Sequence, residues 1–179
     1  MSNMSELSDE AFYLSQDLEI NIRGRYLRFS ASVEGLMTKC IVYLNEVNTL
    51  SNGKEETIDF KNFTFFKKVE KFKKLLELVY KDLYLENLQL FENLLKFGEM
   101  RNKMAHCYFS WDEFDLSSVI IWDIEDKITK SYKVIPTKHK VNEIKISLAE
   151  SMKEIIDSMN ILASEIIKRV TPLIPNMFN

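Results

Sequence analysis

Glu99-Met100-Arg101-Asn102-Lys103-Met104-Ala105-His106 closes a long run of apolar residues at three- and four-residue spacing, Leu83 to Cys107. That spacing predicts a helix. With Arg101 set at zero and about 100° per residue, Ala105 falls at about 40°, Asn102 at about 100° and His106 at about 140°. Going back along the helix, Leu94 falls at about 20°, Gly98 at about 60° and Glu99 at about 160°. A cation, an amide, an imidazole and a carboxylate therefore share one side of a helix with two very small residues. A stripe bound for the core calls for Leu and Ile. This one is apolar up to Leu95 and then turns small and polar, which marks the end of the helix as the candidate site.

The surrounding chain reads as further helices. Polar residues 1–10 are expected to fray, and a short helical turn is expected around Asp9 to Gln16. Asp17 to Val47 keeps helical spacing through Leu18, Ile22, Phe29, Val33, Leu36, Met37, Cys40, Ile41 and Leu44. Gly24 and Gly35 weaken this helix but permit close packing. Arg23, Arg25 and Arg28 cluster in its first half. They form either a solvated face with partners such as Glu19, or a patch that contacts phosphates. Thr49 to Asn62 breaks the pattern. Phe63 to Leu83 then predicts a second helix, whose Lys67, Lys68, Lys71, Lys73 and Lys74 make a solvated face.

The third helix, from about Tyr84 to Cys107, carries the site. Tyr108 to Asp112 reads as its exit loop. Val119–Ile124 and Ser131–Ile135 are β-branched and aromatic, and predict a small β-hairpin over about 117–136, ended by Pro136. The last helix runs from Val141 to Val170 and stops at Thr171-Pro172. The apolar tail from Leu173 to Phe178 is expected to pack. The fold expected is all-α: one domain over residues 1–179, an antiparallel bundle of four main helices with a β-hairpin inserted before the last.

The chain has 179 residues, 46% of them hydrophobic, enough for one domain with a real core. A net charge of −3 argues against a nucleic-acid coat or a membrane-surface protein, but not against local contact with RNA. Cys40 and Cys107 sit in apolar helical runs and read as buried thiols. No secretory pattern opens the chain and no apolar run approaches a membrane span, so a cytoplasmic protein with no membrane partner is expected. No metal site is expected, since there is no His pair at i,i+4 and no clustered Cys set. No glycine-rich phosphate loop is present either, and no cofactor is expected.

Arg101-Asn102-Lys103-Met104-Ala105-His106 resembles the signature of HEPN domains: an Arg, then a polar residue that is often Asn, then a His near the end of a helix. Four residues separate Arg101 from His106, within the spacing of that family, and an Ala before the His is common there. The resemblance implies an all-helical, dimeric fold. It also implies a metal-independent ribonuclease of the kind found in toxin–antitoxin pairs, defence and stress systems. Some members of the family only bind nucleotides or RNA.

Cleaving RNA through its own 2′-hydroxyl needs a base, an acid and a cation for the phosphorane charge. Arg101 suits the cation, because its fork matches two phosphate oxygens. His106 suits proton transfer, and Asn102 can orient the His or the phosphate. Glu99 can pair with an Arg or tune His106. Lys103, with Arg23, Arg25 and Arg28, is a candidate RNA contact. The resemblance implies that a second His106 comes from a second copy, with Gly98 and Ala105 allowing close approach. Two functions remain open. One is an endoribonuclease acting on single-stranded RNA, a toxin or defence effector with an antitoxin or other regulatory partner. The other is a non-catalytic helical module that binds RNA, a nucleotide or a partner protein.

Overall fold

The computed structural model describes residues 13, 16, 19–53, 58–60, 63–106, 108–112, 115–124 and 134–174. Among them, side chains are described for 13, 16, 20, 21, 23–53, 58–60, 63–102, 105 and 150–174. The described residues are mostly helical. The expected packing of the tail beyond Ile174 lies outside them, as does most of the turn expected around Asp9 to Gln16. Leu173 itself is exposed.

A π-helical turn, Glu19–Arg23, leads into α1, Gly24–Asn52. Helix α1 runs beyond the expected end at Val47. Ser51 Oγ donates to the Val47 carbonyl at 2.9 Å and Asn52 Nδ2 to Asn48 Oδ1 at 2.6 Å, which carries the last turn forward. Gly53 then stops it at φ 66°, a left-handed conformation that favours glycine. Helix α2, Phe65–Val79, starts where Thr64 Oγ1 accepts from the Lys67 amide at 3.3 Å.

The second predicted helix does not run through to Leu83. It breaks at Tyr80 and resumes as α3, Lys81–Glu86. From the last turn of α5, Val141–Val170, Arg169 lays its guanidinium over the Tyr80 ring at 5.4 Å and pairs with Asp82 at 2.6 Å. A second break at Asn87, whose Nδ2 donates to the Leu83 carbonyl at 2.8 Å, starts α4, Leu88–His106, four residues later than the sequence suggested.

Tyr108–Asp112, expected as a loop, is strand β1; its aromatic content suits a strand. Strands β2, Asp115–Ile124, and β3, Val134–Lys140, complete an antiparallel sheet in the order β1-β2-β3. Pro136 lies inside β3, opposite Trp122, and not at its end. β3 is an edge strand, where a residue that cannot donate to the ladder is tolerated.

By Cα packing the chain divides into two compact units, one of Met1–Phe29 with Met100–Met152, the other of Ser30–Glu99 with Lys153–Asn179. The second unit holds most of the described core. Its fully buried side chains include Val33, Met37, Ile41 and Leu44 of α1, Phe72 and Leu76 of α2, Leu94 of α4, and Met159, Leu162 and Ile166 of α5. Phe65 stacks near Phe97 at 5.7 Å and Phe72 near Phe91 at 5.4 Å, so α2 and α4 run in opposite directions. Burying side chains of this size contributes about 1.5–3 kcal/mol each.

Candidate functional site

Helix α4 presents the candidate residues through its own period. Leu90, Phe91, Leu94, Phe97 and Gly98 are buried. At the same three-four spacing the next positions are Arg101, Asn102 and Ala105, and all three are half-buried. An arginine thus stands where the helical stripe calls for an apolar side chain. Arg101 Nη1 donates to Asn102 Oδ1 at 3.3 Å, and the Nε of Arg101 is buried. Adjacent helix residues point about 100° apart, so the long guanidinium curls sideways to reach the amide. Asn102 thereby helps to orient Arg101.

His106 is the last residue of α4, and Lys103 lies in its final turn. Their side chains fall outside the described ones. Glu99 is exposed and belongs to the other compact unit, at its boundary. Arg101, Asn102, Lys103 and His106 share their unit with Arg23, Arg25 and Arg28.

The three arginines of the first helical segment separate. Arg25 and Arg28 are exposed, whereas Arg23, which ends the π-helical turn, is half-buried with a buried Nε. In the sequence the three form one cluster. Extending the spacing of buried Tyr26 and Ser30 back by three residues reaches Arg23 and distinguishes it from the other two.

Gly98 does not offer open space for a second copy. A Cβ there would meet Phe65 Cδ1 at 2.7 Å and Phe66 Cε1 at 3.1 Å, so its small size serves packing inside the chain. Among the described residues, Gly24 and Gly35, expected to allow close packing, have nothing within 4 Å of such a Cβ. The lysine face of α2 is also not uniformly solvated. Lys68 pairs with Glu34 of α1 at 2.7 Å, with side chains only 14% and 19% exposed.

His139 lies in β3 opposite Val119, which in turn faces Trp111 of β1. That is two strand spacings across and three residues along from Tyr108, about 14 Å by standard strand dimensions. Among the described residues, no group of three or more His, Cys, Asp or Glu could hold a metal ion. None of the described helices is long and apolar enough to cross a membrane. No family model, curated protein or solved structure matches this chain.

Proposed function

We propose that this chain is a metal-independent endoribonuclease of HEPN type. In this reading its main helices form an antiparallel four-helix bundle with the three-stranded sheet inserted before the last. The observation that supports it most directly is Arg101. It is half-buried at a core-spaced position of α4, hydrogen-bonded to Asn102, and five residues ahead of His106 at the helix end. The substrate is single-stranded RNA. Its 2′-oxygen attacks the adjacent phosphorus as a base removes the 2′-proton. The P–O5′ bond then breaks as an acid protonates the leaving oxygen.

Arg101 stabilises the charge on the phosphorane, and Asn102 holds the guanidinium in place. His106 transfers protons. One imidazole per chain serves one half of this exchange. The resemblance to HEPN domains assigns the second imidazole to His106 of a second copy in a homodimer. Lys103 attracts the RNA backbone. We assign the protein to the cytoplasm as a toxin or defence effector restrained by an antitoxin or other regulatory protein.

The non-catalytic alternative, a helical module that binds RNA, a nucleotide or a protein, has one observation in its favour: the fork of Arg101 already has a hydrogen bond within the chain. Purified protein incubated with total RNA in EDTA tests the choice. Cleavage leaving a 2′,3′-cyclic phosphate and a 5′-hydroxyl supports the ribonuclease. Cleavage only with added Mg²⁺, or none at all, overturns it.

A further inference from the structure

We infer that the groove between α2 and α4 is a docking site for a basic amphipathic helix of a partner protein. The inference goes beyond the ribonuclease reading and does not depend on it. The two helices meet through Phe65 and Phe97 at 5.7 Å and through Phe72 and Phe91 at 5.4 Å. Beside that seam, a Cβ on Gly98 would meet the half-buried Phe66 at 3.1 Å. At the other end, the half-buried ring of Tyr84 in α3 lies 5.9 Å from Phe91. On α4, Leu88 and Leu95 fall about 40–80° outward from Phe91 and Gly98. They are 44% and 40% exposed. Phe66, Leu95, Leu88 and Tyr84 therefore line one apolar groove. Leu88 and Leu95 lie about 10.5 Å apart along the helix, two turns, which is the repeat of an apolar stripe on an incoming helix.

The charges beside the groove choose the occupant. Glu70 and Glu77 continue the α2 edge that starts at Phe66, and Glu92 stands one turn after Leu88 on α4. All three are exposed. Among the described residues, no ion pair neutralises any of them. Lys73, on the same α2 edge, lies over the Tyr84 ring at 5.9 Å. The exposed Lys67 and Lys74 fall about 80–100° further round α2 from Phe66, away from α4. An apolar floor between carboxylates favours a helix with aliphatic side chains on one face and Lys or Arg on both flanks. It repels an acidic helix and RNA alike.

The test is fluorescence anisotropy with the full chain and a labelled amphipathic helix of Leu and Lys, about five turns long, beside a twin with Glu for every Lys. The basic helix should bind, and the acidic twin at least about tenfold more weakly. Leu88→Gln/Leu95→Gln should weaken the basic helix by about tenfold or more, the scale of two lost aliphatic contacts. Glu70→Gln/Glu77→Gln should weaken it by about threefold to tenfold at low salt and much less at high salt. Glu46→Gln/Asp157→Asn, which removes the same charge from exposed positions on α1 and α5, should stay within about twofold. Circular dichroism checks folding; if the leucine pair fails to fold, the glutamate pair carries the test. No binding, equal binding of the two helices, or a folded leucine or glutamate pair that binds like wild type overturns the inference. Equal weakening by Glu46→Gln/Asp157→Asn and Glu70→Gln/Glu77→Gln also overturns it, because net charge and not the groove then attracts the helix. Light scattering that shows self-association abolished by Leu88→Gln/Leu95→Gln makes the occupant a second copy and overturns it as well.

Discussion

Gly98 of α4 sits against Phe65 of α2 so closely that a Cβ would lie 2.7 Å from the ring. The ring cannot easily yield. Phe65 is 3% exposed, and its centroid lies 5.7 Å from Phe97 and 6.2 Å from Phe66. Gly98→Ala gains about 1 kcal/mol of helix propensity but incurs overpacking of about 1–3 kcal/mol. The expected net is a loss of roughly 1 kcal/mol. Among the described residues Gly35→Ala meets nothing within 4 Å, and it should gain about 0.5–1 kcal/mol. Urea unfolding of the two variants checks the contrast; a Gly98→Ala protein as stabilised as Gly35→Ala would disprove it.

The Lys68–Glu34 pair carries the second prediction. Both side chains are mostly withdrawn from water, so the pair lies between an exposed bridge and a fully buried one. Lys68→Met should cost about 2 kcal/mol, more than exposed pairs and less than buried ones. Substitution of exposed Lys74 should stay within about 0.5 kcal/mol. A double-mutant cycle with Glu34→Gln isolates the coupling. If Lys68→Met matches the exposed lysine, the pair contributes nothing measurable.

The Tyr80 break gives a third, through pH. A hydrogen bond from Arg169 holds the Asp82 carboxyl below the usual carboxylate range. A depressed acid stabilises the fold above its unfolded pKa, about 3.9, and loses that contribution as pH falls through its lower folded value. The stability difference between wild type and Arg169→Ala should therefore be full at neutral pH and shrink on acidification below about 4. Carboxyl NMR titration should show Asp82 returning to the ordinary range in Arg169→Ala. An Asp82 that titrates alike in both proteins contradicts the pairing.

Cys40 supplies the fourth. Burial pushes its thiol up to about 12, and the side chain is 1% exposed. The thiolate is the reacting species, so native Cys40 should resist iodoacetamide at pH 8 and label readily in denaturant. Peptide mass spectrometry distinguishes Cys40 from Cys107. Fast native labelling of Cys40 would mean that the α1 stripe opens.

Helical period alone made much of this chain legible. The stripes of Val33, Met37, Cys40 and Ile41, and of Val69, Phe72, Leu75 and Leu76, are buried as their spacing required, and α5 spans Val141–Val170 as expected. What escaped depends on contacts from afar. Nothing local marks Tyr80 as a break, because Arg169 meets it from a helix distant in sequence. Lys68 resembles its lysine neighbours until Glu34 is placed beside it. Gly98 looked like room for a partner, and only Phe65 shows what fills that room. On α4, the half-buried places of Arg101 and Asn102 follow from helical spacing, but their mutual hydrogen bond does not.

The final prediction concerns that bond. If Arg101 grips the scissile phosphate and Asn102 only aligns it, the variants should fall in a fixed order. Arg101→Ala and His106→Ala should each lower cleavage by about a hundredfold or more, the scale of losing a charge-stabilising group or a proton carrier. Arg101→Lys should recover little, since an ammonium cannot reproduce the bidentate contact. Asn102→Ala should cost about tenfold, the scale of one hydrogen bond that positions without reacting. Its effect should largely vanish in an Arg101→Ala background, because Asn102 then has no guanidinium to hold. Single-turnover cleavage of a labelled oligoribonucleotide in EDTA measures all of these, with circular dichroism confirming that each variant folds. Multiplicative losses in the Arg101→Ala/Asn102→Ala double variant would show that Asn102 acts on the RNA independently of Arg101.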